Sequence, residues 1–141
     1  LEKISIPDNV TYIGISSFRD CKNLKYVTII GNVNKVKDYA FTGCNKALTI
    51  YSVNNSYMQS YAKKNNINFK KLAISSSSIT LSVGKSKTLK LNSLAECSWK
   101  SSNKSVVSVN QSGKITAKKK GTATITAYCY GKNFNCKVTV K

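Results

Sequence analysis

The side chains that most often do chemistry in enzymes are scarce in this sequence. Its 141 residues include no histidine and five acidic residues. Without an imidazole, Ser-His-Asp catalysis, Cys-His catalysis and histidine-bearing zinc sites are excluded. The acidic residues are too few and too scattered to favour a two-carboxylate glycosidase or a Mg²⁺ site. They are Glu2, Asp8, Asp20, Asp38 and Glu96. We therefore expect a chain that is not an enzyme and holds no metal or cofactor.

Five cysteines are the remaining reactive side chains, and their odd number leaves at least one thiol unpaired within the chain. Cys129 and Cys136 flank a short segment with hairpin features and are the first candidates for a disulfide. Cys97 has the strand parity of Trp99 and should point inward, so its pairing with Cys129 or Cys136 is a competing connectivity. Cys129 and Cys136 are too far apart for a C-x-x-C metal motif.

Lysine dominates the charged residues and gives the chain a formal net charge of +18. Arg19 is the sole arginine among 23 basic residues. Proteins that read duplex DNA usually contact bases and phosphates with arginine, so sequence-specific nucleic-acid binding is not expected. The simplest interpretation is a hydrated surface, and the alternative is attraction to anionic polymers. The charge is +7 over residues 1–72, with eleven basic and four acidic residues, and +11 over residues 73–141, with twelve and one.

No segment has the roughly 20 apolar residues of a membrane-spanning helix, so membrane insertion is not expected. Neither end carries a recognisable sorting signal. The first residue is Leu1 rather than methionine, and it opens a sequence repeat. We therefore expect the chain to be a C-terminal piece of a longer protein whose export signal lies upstream.

A repeat of 23 residues organises the first third of the chain. Residues 1–23 align with residues 24–46 without a gap, and the matches fall on apolar positions while the residues between them vary. The matched apolar pairs are Leu1/Leu24, Ile4/Val27, Ile6/Ile29, Val10/Val33, Ile13/Val36, Phe18/Phe41 and Cys21/Cys44, and the polar pair Asn9/Asn32 is also identical. Stacked repeats bury such rows against one another, and the L-x-x-I-x-I head of each copy predicts a short strand. We expect Cys21 and Cys44 to stack as buried thiols rather than as a disulfide.

This pattern resembles the leucine-rich repeats of bacterial BspA-like surface proteins, whose units read L-x-x-I-x-I-P…V-x-x-I-x-x-x-A-F-x-x-C. The resemblance implies a solenoid. If the solenoid binds a partner, the x positions of each strand motif project outward and form the place to look. In this chain the candidate ligand face consists of Lys3, Ser5, Tyr26 and Thr28.

Residues 47–72 begin a third copy and then change period. Tyr57, Met58 and Tyr61 are at helical spacing, with Asn65-Asn66 as the stop, which predicts a short amphipathic helix. A solenoid must cover its last open core face, so we interpret this segment as a cap. Stacking of Tyr57 and Tyr61 on a ligand is the alternative.

The remainder of the chain, residues 73–141, has a period of two. The stretch 75–78 is four serines, typical of a flexible boundary, so we predict domains at 1–72 and 73–141. Seven short alternating runs separated by turn residues predict a small antiparallel sandwich. The runs are 79–83, 88–91, 98–100, 106–109, 114–117, 123–128 and 136–140.

The order of landmarks in residues 74–141 is similar to that of bacterial immunoglobulin-like domains of group 2. The matching segments are W-x-S-S-N from Trp99, G-T-A-T-I-T-A from Gly121 and C-x-V-T-V from Cys136. The resemblance implies that Trp99 is a core residue. It also implies a spacer or stalk in a secreted or surface protein, because most copies of this domain are spacers. Some copies mediate adhesion.

The predicted fold is mainly β, a short leucine-rich-repeat solenoid with a C-terminal helical cap joined to an immunoglobulin-like β-sandwich. The predicted function is non-catalytic. The chain would be a secreted or cell-surface module for adhesion or ligand display, binding a protein or glycan on host or neighbouring cells, with the sandwich as spacer. One alternative is binding of anionic cell-wall polysaccharides through lysines, which would collapse between low and physiological salt. Another is an accessory tail of a secreted hydrolase.

Overall fold

The 23-residue spacing of the sequence is also the spacing of the backbone in the first half. The computed structural model describes residues 1–53 and 56–141. The first strands are β1 (Lys3–Ile6), β2 (Tyr12–Ile13), β3 (Tyr26–Ile29), β4 (Lys35–Val36) and β5 (Thr49–Ser52). Strands β1, β3 and β5 are parallel neighbours, and Lys3 pairs with Tyr26, which pairs with Thr49. Strands β2 and β4 form a second parallel pair.

Because successive copies are in register, equivalent side chains form continuous buried rows. One row contains Ile4, Val27 and Ile50, and the next begins with Ile6 and Ile29. The fully buried members of this core are Leu24, Val27, Ile29, Val33, Ala40, Ile50 and Met58. Each copy therefore buries its apolar side chains against the copy beside it.

Helix α1 (Ser56–Lys64) and strand β6 (Asn68–Lys71) complete the first half. Met58 and Ala62 are the buried face of the helix. The helix stops where the sequence predicts: Asn66 has φ +54°, and the N–H of Ile67 donates to the carbonyl of Ala62 at 2.9 Å. Strand β6 pairs in parallel with β5, with Thr49 opposite Asn68, so the last step is 19 residues instead of 23.

The second half contains seven strands in two sheets. They are β7 (Ser78–Leu81), β8 (Ser86–Thr88), β9 (Ser98–Ser101), β10 (Val107–Val109), β11 (Lys114–Ala117), β12 (Gly121–Cys129) and β13 (Lys132–Val140). One sheet has the order β10-β11-β8 and the other β7-β13-β12-β9. The pair β7 and β13 is parallel, whereas an entirely antiparallel arrangement was predicted. The long connection between these two strands makes parallel pairing possible, because a parallel crossover needs a dozen residues or more.

Both sheets contribute to one core in the second half. Its fully buried members are Leu89, Val107, Ile115, Ile125, Cys136 and Val138. Trp99, predicted to be a core residue, is partly buried and packs against this cluster. Gly113 (φ +81°) passes under the indole, where an added Cβ would lie 2.9 Å from the ring. The Leu89 carbonyl oxygen lies even closer to that Cβ position, so the backbone and the indole together require glycine at this turn.

The chain divides into two units. We call Leu1–Leu72 with Ser93–Ala95 the repeat unit, and Ala73–Asn92 with Glu96–Lys141 the two-sheet unit. Each has its own hydrophobic core. The fold is mainly β, and α1 is the one helix among the described residues.

Candidate ligand-binding surfaces

The outward row of strands β1 and β3 contains the four residues predicted as a ligand face. Lys3 is opposite Tyr26 and Ser5 is opposite Thr28, so the structure brings all four together. Thr28 is 2% exposed, however, and its inclusion in an exposed face is wrong. Its short side chain lies between tyrosines, Tyr26 on the same strand and Tyr51 across the ladder. Lys3, Ser5 and Tyr26 are exposed or half-buried and stay a predicted surface.

An ion pair joins the first two copies at the edge of this face. Nζ of Lys25 lies 2.8 Å from Oε1 of Glu2, and these residues are equivalent positions in the repeat. The hydrogen bond and the charge of Lys25 lower the pKa of Glu2, and the same contact raises the pKa of Lys25. Both side chains are exposed, so solvent screens the pair.

An aromatic column also runs through the copies of the repeat unit. Phe18 and Phe41 stack with ring centroids 5.1 Å apart, and Tyr61 of helix α1 meets Phe41 edge-to-face at 6.2 Å. Burial raises the pKa of the Tyr61 phenol. Tyr61 thus takes the place that a third phenylalanine would have. This position supports the interpretation of the helix as a cap and not the alternative that Tyr61 stacks on a ligand.

Tyr57 also covers an open edge. Strand β4 is at the end of the two-stranded ladder, and the N–H of Val36 donates to the Tyr57 hydroxyl at 2.9 Å. A side-chain oxygen therefore satisfies a backbone donor that another strand would otherwise meet. The tyrosine remains 37% exposed.

Tyr39 differs from these residues because no core contact requires it. It has φ +60°, and the equivalent Ser16 of the first copy has φ +55°. The same correspondence holds for Asp20 (φ +56°) and Gly43 (φ +74°), so left-handed positions recur with the repeat. Bulky side chains are rare at such positions. Tyr39 is nevertheless 61% exposed.

Two adjoining hollows meet at Tyr39. One, of about 580 Å³, extends from Val36 along helix α1, and the other, of about 250 Å³, extends toward Leu48 and Ile67. Both are lined by Tyr39, Thr42, Tyr61 and Asn65. We call the two hollows together the Tyr39 groove. The guanidinium of Arg19 lies 5.8 Å from the Tyr39 ring centroid.

Polar side chains of several kinds surround the groove. The larger hollow is lined by Lys37, Asp38, Ser60 and Lys64 in addition to the shared residues. The amide of Asn65 donates to the Tyr61 carbonyl at 2.9 Å, which fixes its orientation. The groove therefore offers aromatic surface beside ammonium, carboxylate, hydroxyl and amide groups, all within the repeat unit.

The thiols of the repeat unit are not joined in a disulfide. Cys21 and Cys44 are half-buried, and the Cys44 thiol donates to the Phe18 carbonyl at 3.0 Å. Burial, with a smaller contribution from Cys21, raises the pKa of Cys44. A raised thiol pKa lowers the thiolate fraction and hence the reactivity.

The disulfide of the two-sheet unit joins Cys97 and Cys129, whose Cα atoms are 4.6 Å apart. The predicted pair Cys129 and Cys136 is wrong, and the competing connectivity with Cys97 is the one observed. The β12–β13 hairpin turns at Tyr130-Gly131, which places Cys129 opposite Lys132 and Cys136 opposite Ile125. Four residues of strand then separate the two cysteines, about 13 Å, and a disulfide requires Cα atoms within about 7 Å. Cys136 is a buried thiol with a raised pKa.

Within 1–53 and 56–141, no group of three or more His, Cys, Asp or Glu side chains is placed to hold a metal ion. In that described part of the chain, no helix has the length and apolar character needed to cross a membrane.

The geometry of stacked, in-register copies agrees with the comparison to protein families. The family model described as "BspA type Leucine rich repeat region (6 copies)" matches residues 1–108. The chain belongs to the BspA-type leucine-rich repeat family. A second model, "Intimin, immunoglobulin-like domain", matches residues 92–129. Both resemblances read from the sequence, to BspA-like repeats and to a bacterial immunoglobulin-like domain, are confirmed.

Comparison with individual proteins adds little to the family assignment. No curated protein matches the chain. One similar solved structure is "Crystal structure of the S-layer protein SbsC domains 4 and 5", with 19% sequence identity and a TM-score of 0.41. The match covers 52% of this BspA-type chain and 56% of that one. BspA-type repeats together with an immunoglobulin-like domain suggest a surface-associated module, and such domains are typically non-catalytic.

Sequence reasoning missed the Tyr39 groove although a signal was present. When the two copies are aligned, Ser16 of the first copy corresponds to Tyr39 of the second. This position is not one of those that both copies keep apolar, so the stacking of copies does not explain the tyrosine there. The groove itself required the helix and the second copy to be placed together, which the alignment alone does not show.

Proposed function

We propose that this chain is a non-catalytic, extracellular cell-surface module that binds a protein or glycan ligand through its repeat unit. In this proposal the repeat unit is a short leucine-rich-repeat solenoid with a helical cap, and the two-sheet unit is an immunoglobulin-like sandwich that serves as spacer.

The observation that carries the proposal is a set of exposed side chains that the repeat unit does not need for its own core. Tyr39 is exposed in a groove with mixed polar lining, and Lys3 is exposed on the strand face. Solenoids bind partners through positions that vary from copy to copy, because the stacked positions are fixed by packing. Tyr39 occupies such a variable position.

The disulfide supports an extracellular location. A bond between Cys97 and Cys129 persists in oxidising surroundings and is rare in the bacterial cytosol, where thiols are kept reduced. Of the remaining cysteines, Cys136 is buried and Cys21 and Cys44 are half-buried, and burial raises the pKa of the Cys44 and Cys136 thiols and so lowers their reactivity.

The topology of the two-sheet unit supports a role as spacer. Its first strand, β7, lies parallel to its last, β13, with Ser78 opposite Lys137 and Leu81 opposite Val140. The chain therefore enters and leaves this unit in the same direction. A module that extends a chain in series needs this arrangement, whereas antiparallel terminal strands would turn the chain back.

The proposal is tested with fluorescent beads that carry the whole chain, offered to cultured epithelial cells at physiological salt. We expect saturable attachment that soluble chain competes away. Attachment no greater than that of albumin-coated beads would contradict the proposal.

The net charge of +18 favours a second candidate, attraction to anionic polymers. Salt separates the two. Attachment carried by dispersed lysines falls steeply between low and physiological ionic strength, because the Debye length contracts to about 8 Å. Attachment through a packed groove changes much less, and beads coated with a lysine-rich protein of similar net charge provide the matched control.

A further inference from the structure

We infer that the Tyr39 groove binds a short oligosaccharide, with the Tyr39 ring as the platform on which one sugar ring stacks. This inference deepens the proposed function and rests on it, since it names the ligand class and the site.

Tyr39 has a strained backbone conformation, and its side chain contributes little to the core. A residue with a side chain at φ +60° is strained, and the first copy meets the same turn with the small Ser16. The strain is not offset by burial, because the residue is 61% exposed. The left-handed turn itself belongs to the repeat, since Ser16 shares it, so the second copy differs from the first in carrying an exposed aromatic side chain at this position. The ring is therefore placed for a contact outside the fold.

The surroundings of Tyr39 restrict the ring. The Arg19 guanidinium approaches it at 5.8 Å from the centroid, and Nε of Arg19 is held 3.4 Å from Oδ2 of Asp20. A cation beside an aromatic ring is attracted to its negative face. The turn that carries Tyr39 is also tied to the first copy, since the N–H of Ser16 donates to the Asp38 carbonyl at 3.2 Å. A ring held in this way loses little conformational entropy when a ligand stacks on it.

The groove offers what a sugar requires. A pyranose has one apolar C–H face, which packs on an aromatic ring, and a rim of hydroxyls that both donate and accept hydrogen bonds. Around Tyr39 the rim would meet Asp38 and Asn65 as acceptors and Lys37 and Lys64 as donors. The larger hollow, about 580 Å³, is within the range of small-ligand sites.

A peptide fits the groove less well. Peptide grooves supply a free strand edge or a series of apolar pockets for anchor side chains. Here the edge donor at Val36 is already bonded to Tyr57. The aliphatic lining is Val36 in the larger hollow with Leu48 and Ile67 in the smaller, among mostly polar and aromatic side chains. The observations therefore favour a glycan.

The test is a chemical-shift titration of the isotope-labelled full chain with maltotriose, chitotriose, N-acetyllactosamine and sialyllactose at millimolar concentration. We expect at least one of these probes to shift amides around Tyr39 and Asn65. Tyr39→Ser, which copies the first repeat, should weaken that binding about tenfold or more through loss of the stacking ring, and Tyr39→Phe should keep it. Tyr128→Ser is the matched control, because Tyr128 of the two-sheet unit is also exposed, at 53%.

Folding does not confound this comparison. Tyr39→Ser keeps a Cβ at the same left-handed position, where the first copy already carries Ser16 at φ +55°, so its unfolding midpoint should be close to that of the parent chain. The inference is overturned if none of the four sugars shifts any amide, or if Tyr39→Ser binds as tightly as the parent chain. A preference for sialyllactose supports it and assigns Lys37 and Lys64 to the sugar carboxylate.

The outcome is separable from that of the proposed function. If coated beads attach to cells and glycosidase treatment of the cells does not reduce attachment, the ligand is a protein and the inference is wrong while the proposed function stands. If sugars bind at Tyr39 but beads do not attach, the site stands and the adhesive function is wrong.

Discussion

The two units of this chain are both built mainly from β-strands, but they reach a closed core in opposite ways. In the repeat unit each strand pairs with the strand one copy away, and residues such as Val27 and Ile50 are 23 positions apart. In the two-sheet unit the first strand, β7, pairs with the last, β13. The repeat unit is therefore a series of contacts between neighbouring copies, whereas the two-sheet unit pairs its first strand with its last.

The difference shows where each unit can tolerate change. In a stack, positions that do not enter a row are free to vary between copies, and Tyr39 beside Ser16 is an example. In the two-sheet unit, a disulfide between Cys97 and Cys129 adds a covalent link across a separation of 32 residues. In the proposed function the stack is the binding element, whose exposed positions vary between copies, and the two-sheet unit is its support.

Loss of a core side chain has the largest expected effect and tests whether the two cores are separate. Ile50 in the repeat unit and Ile125 in the two-sheet unit are both fully buried. Ile50→Ala and Ile125→Ala should each lower the free energy of unfolding of their own unit by about 2–5 kcal/mol. Trp99, the single tryptophan, reports the two-sheet unit by fluorescence. Native-state hydrogen exchange of repeat-unit peptides reports the other.

In that pair of variants each substitution is the control for the other. If Ile50→Ala shifted the Trp99 transition as much as Ile125→Ala does, the two units would unfold as one and the comparison would fail.

Removal of the disulfide comes next and should affect one unit. The double substitution Cys97→Ser with Cys129→Ser should destabilise the two-sheet unit by about 2–4 kcal/mol, because it frees a long loop in the unfolded chain. The measurement is urea unfolding followed by Trp99 fluorescence. A reductant should reproduce the effect on the parent chain and have no effect on the double variant. A loss of protection in the repeat unit instead would count against the assigned pairing.

Much of this arrangement follows from the sequence, because the determinants are local or periodic. The 23-residue period predicts the registers of β1 and β3, and the helix stop at Asn65-Asn66 is a local backbone preference. The cysteine pairing was not predictable in the same way. It depends on the hairpin turning at Tyr130-Gly131, and a turn one or two residues later would change which residue lies opposite Cys129.

The candidate site was less predictable than the fold. The alternation of side chains along each strand predicts which residues of β1 and β3 face outward. The burial of Thr28 depends on Tyr51 of the third copy, and the pattern of the first two copies does not contain that residue. The groove depends on a helix replacing a repeat beside Tyr39. The groove lies where the 23-residue repeat gives way to the helix, so the repeat pattern alone does not predict it.

Two buried serines provide a smaller and oppositely signed test. Ser52 takes the place that Ile29 has in the preceding copy, and its hydroxyl is buried without a hydrogen-bond partner in the described structure. Ser101 of the two-sheet unit is also buried, but its hydroxyl donates to the Val107 carbonyl at 2.6 Å. We expect Ser52→Ala to stabilise the repeat unit by about 1 kcal/mol, since an unpaired buried hydroxyl costs about 1–3 kcal/mol.

Ser101→Ala should instead destabilise the two-sheet unit by about 1–2 kcal/mol, since it removes a hydrogen bond and leaves a buried acceptor. Urea unfolding of each variant, with the two probes above, measures both. If both substitutions raised the free energy of unfolding, or both lowered it, hydrogen bonding of the buried hydroxyl would not be what decides the effect.

The smallest effect is expected from the exposed pair Glu2 and Lys25. The pKa of Glu2 is lowered, so its stabilisation is present above the ordinary carboxyl value of 4.5 and is lost as pH falls through the folded pKa. The pKa of Lys25 is raised, so its contribution is present below 10.5 and is lost at higher pH. The unfolding midpoint of Glu2→Gln should be slightly lower than that of the parent at neutral pH and equal to it in acid or high salt. A difference that grew in acid would contradict the assigned pair.

The claim that binding belongs to the repeat unit is tested most directly by comparing two exposed tyrosines in one assay. Beads carrying the parent chain, Tyr39→Ser or Tyr128→Ser are offered to the same cells at physiological salt, and the half-saturating bead number is measured. We expect Tyr39→Ser to weaken attachment and Tyr128→Ser to attach like the parent. Attachment that depends on Tyr128 and ignores Tyr39 would place binding on the two-sheet unit and contradict the account.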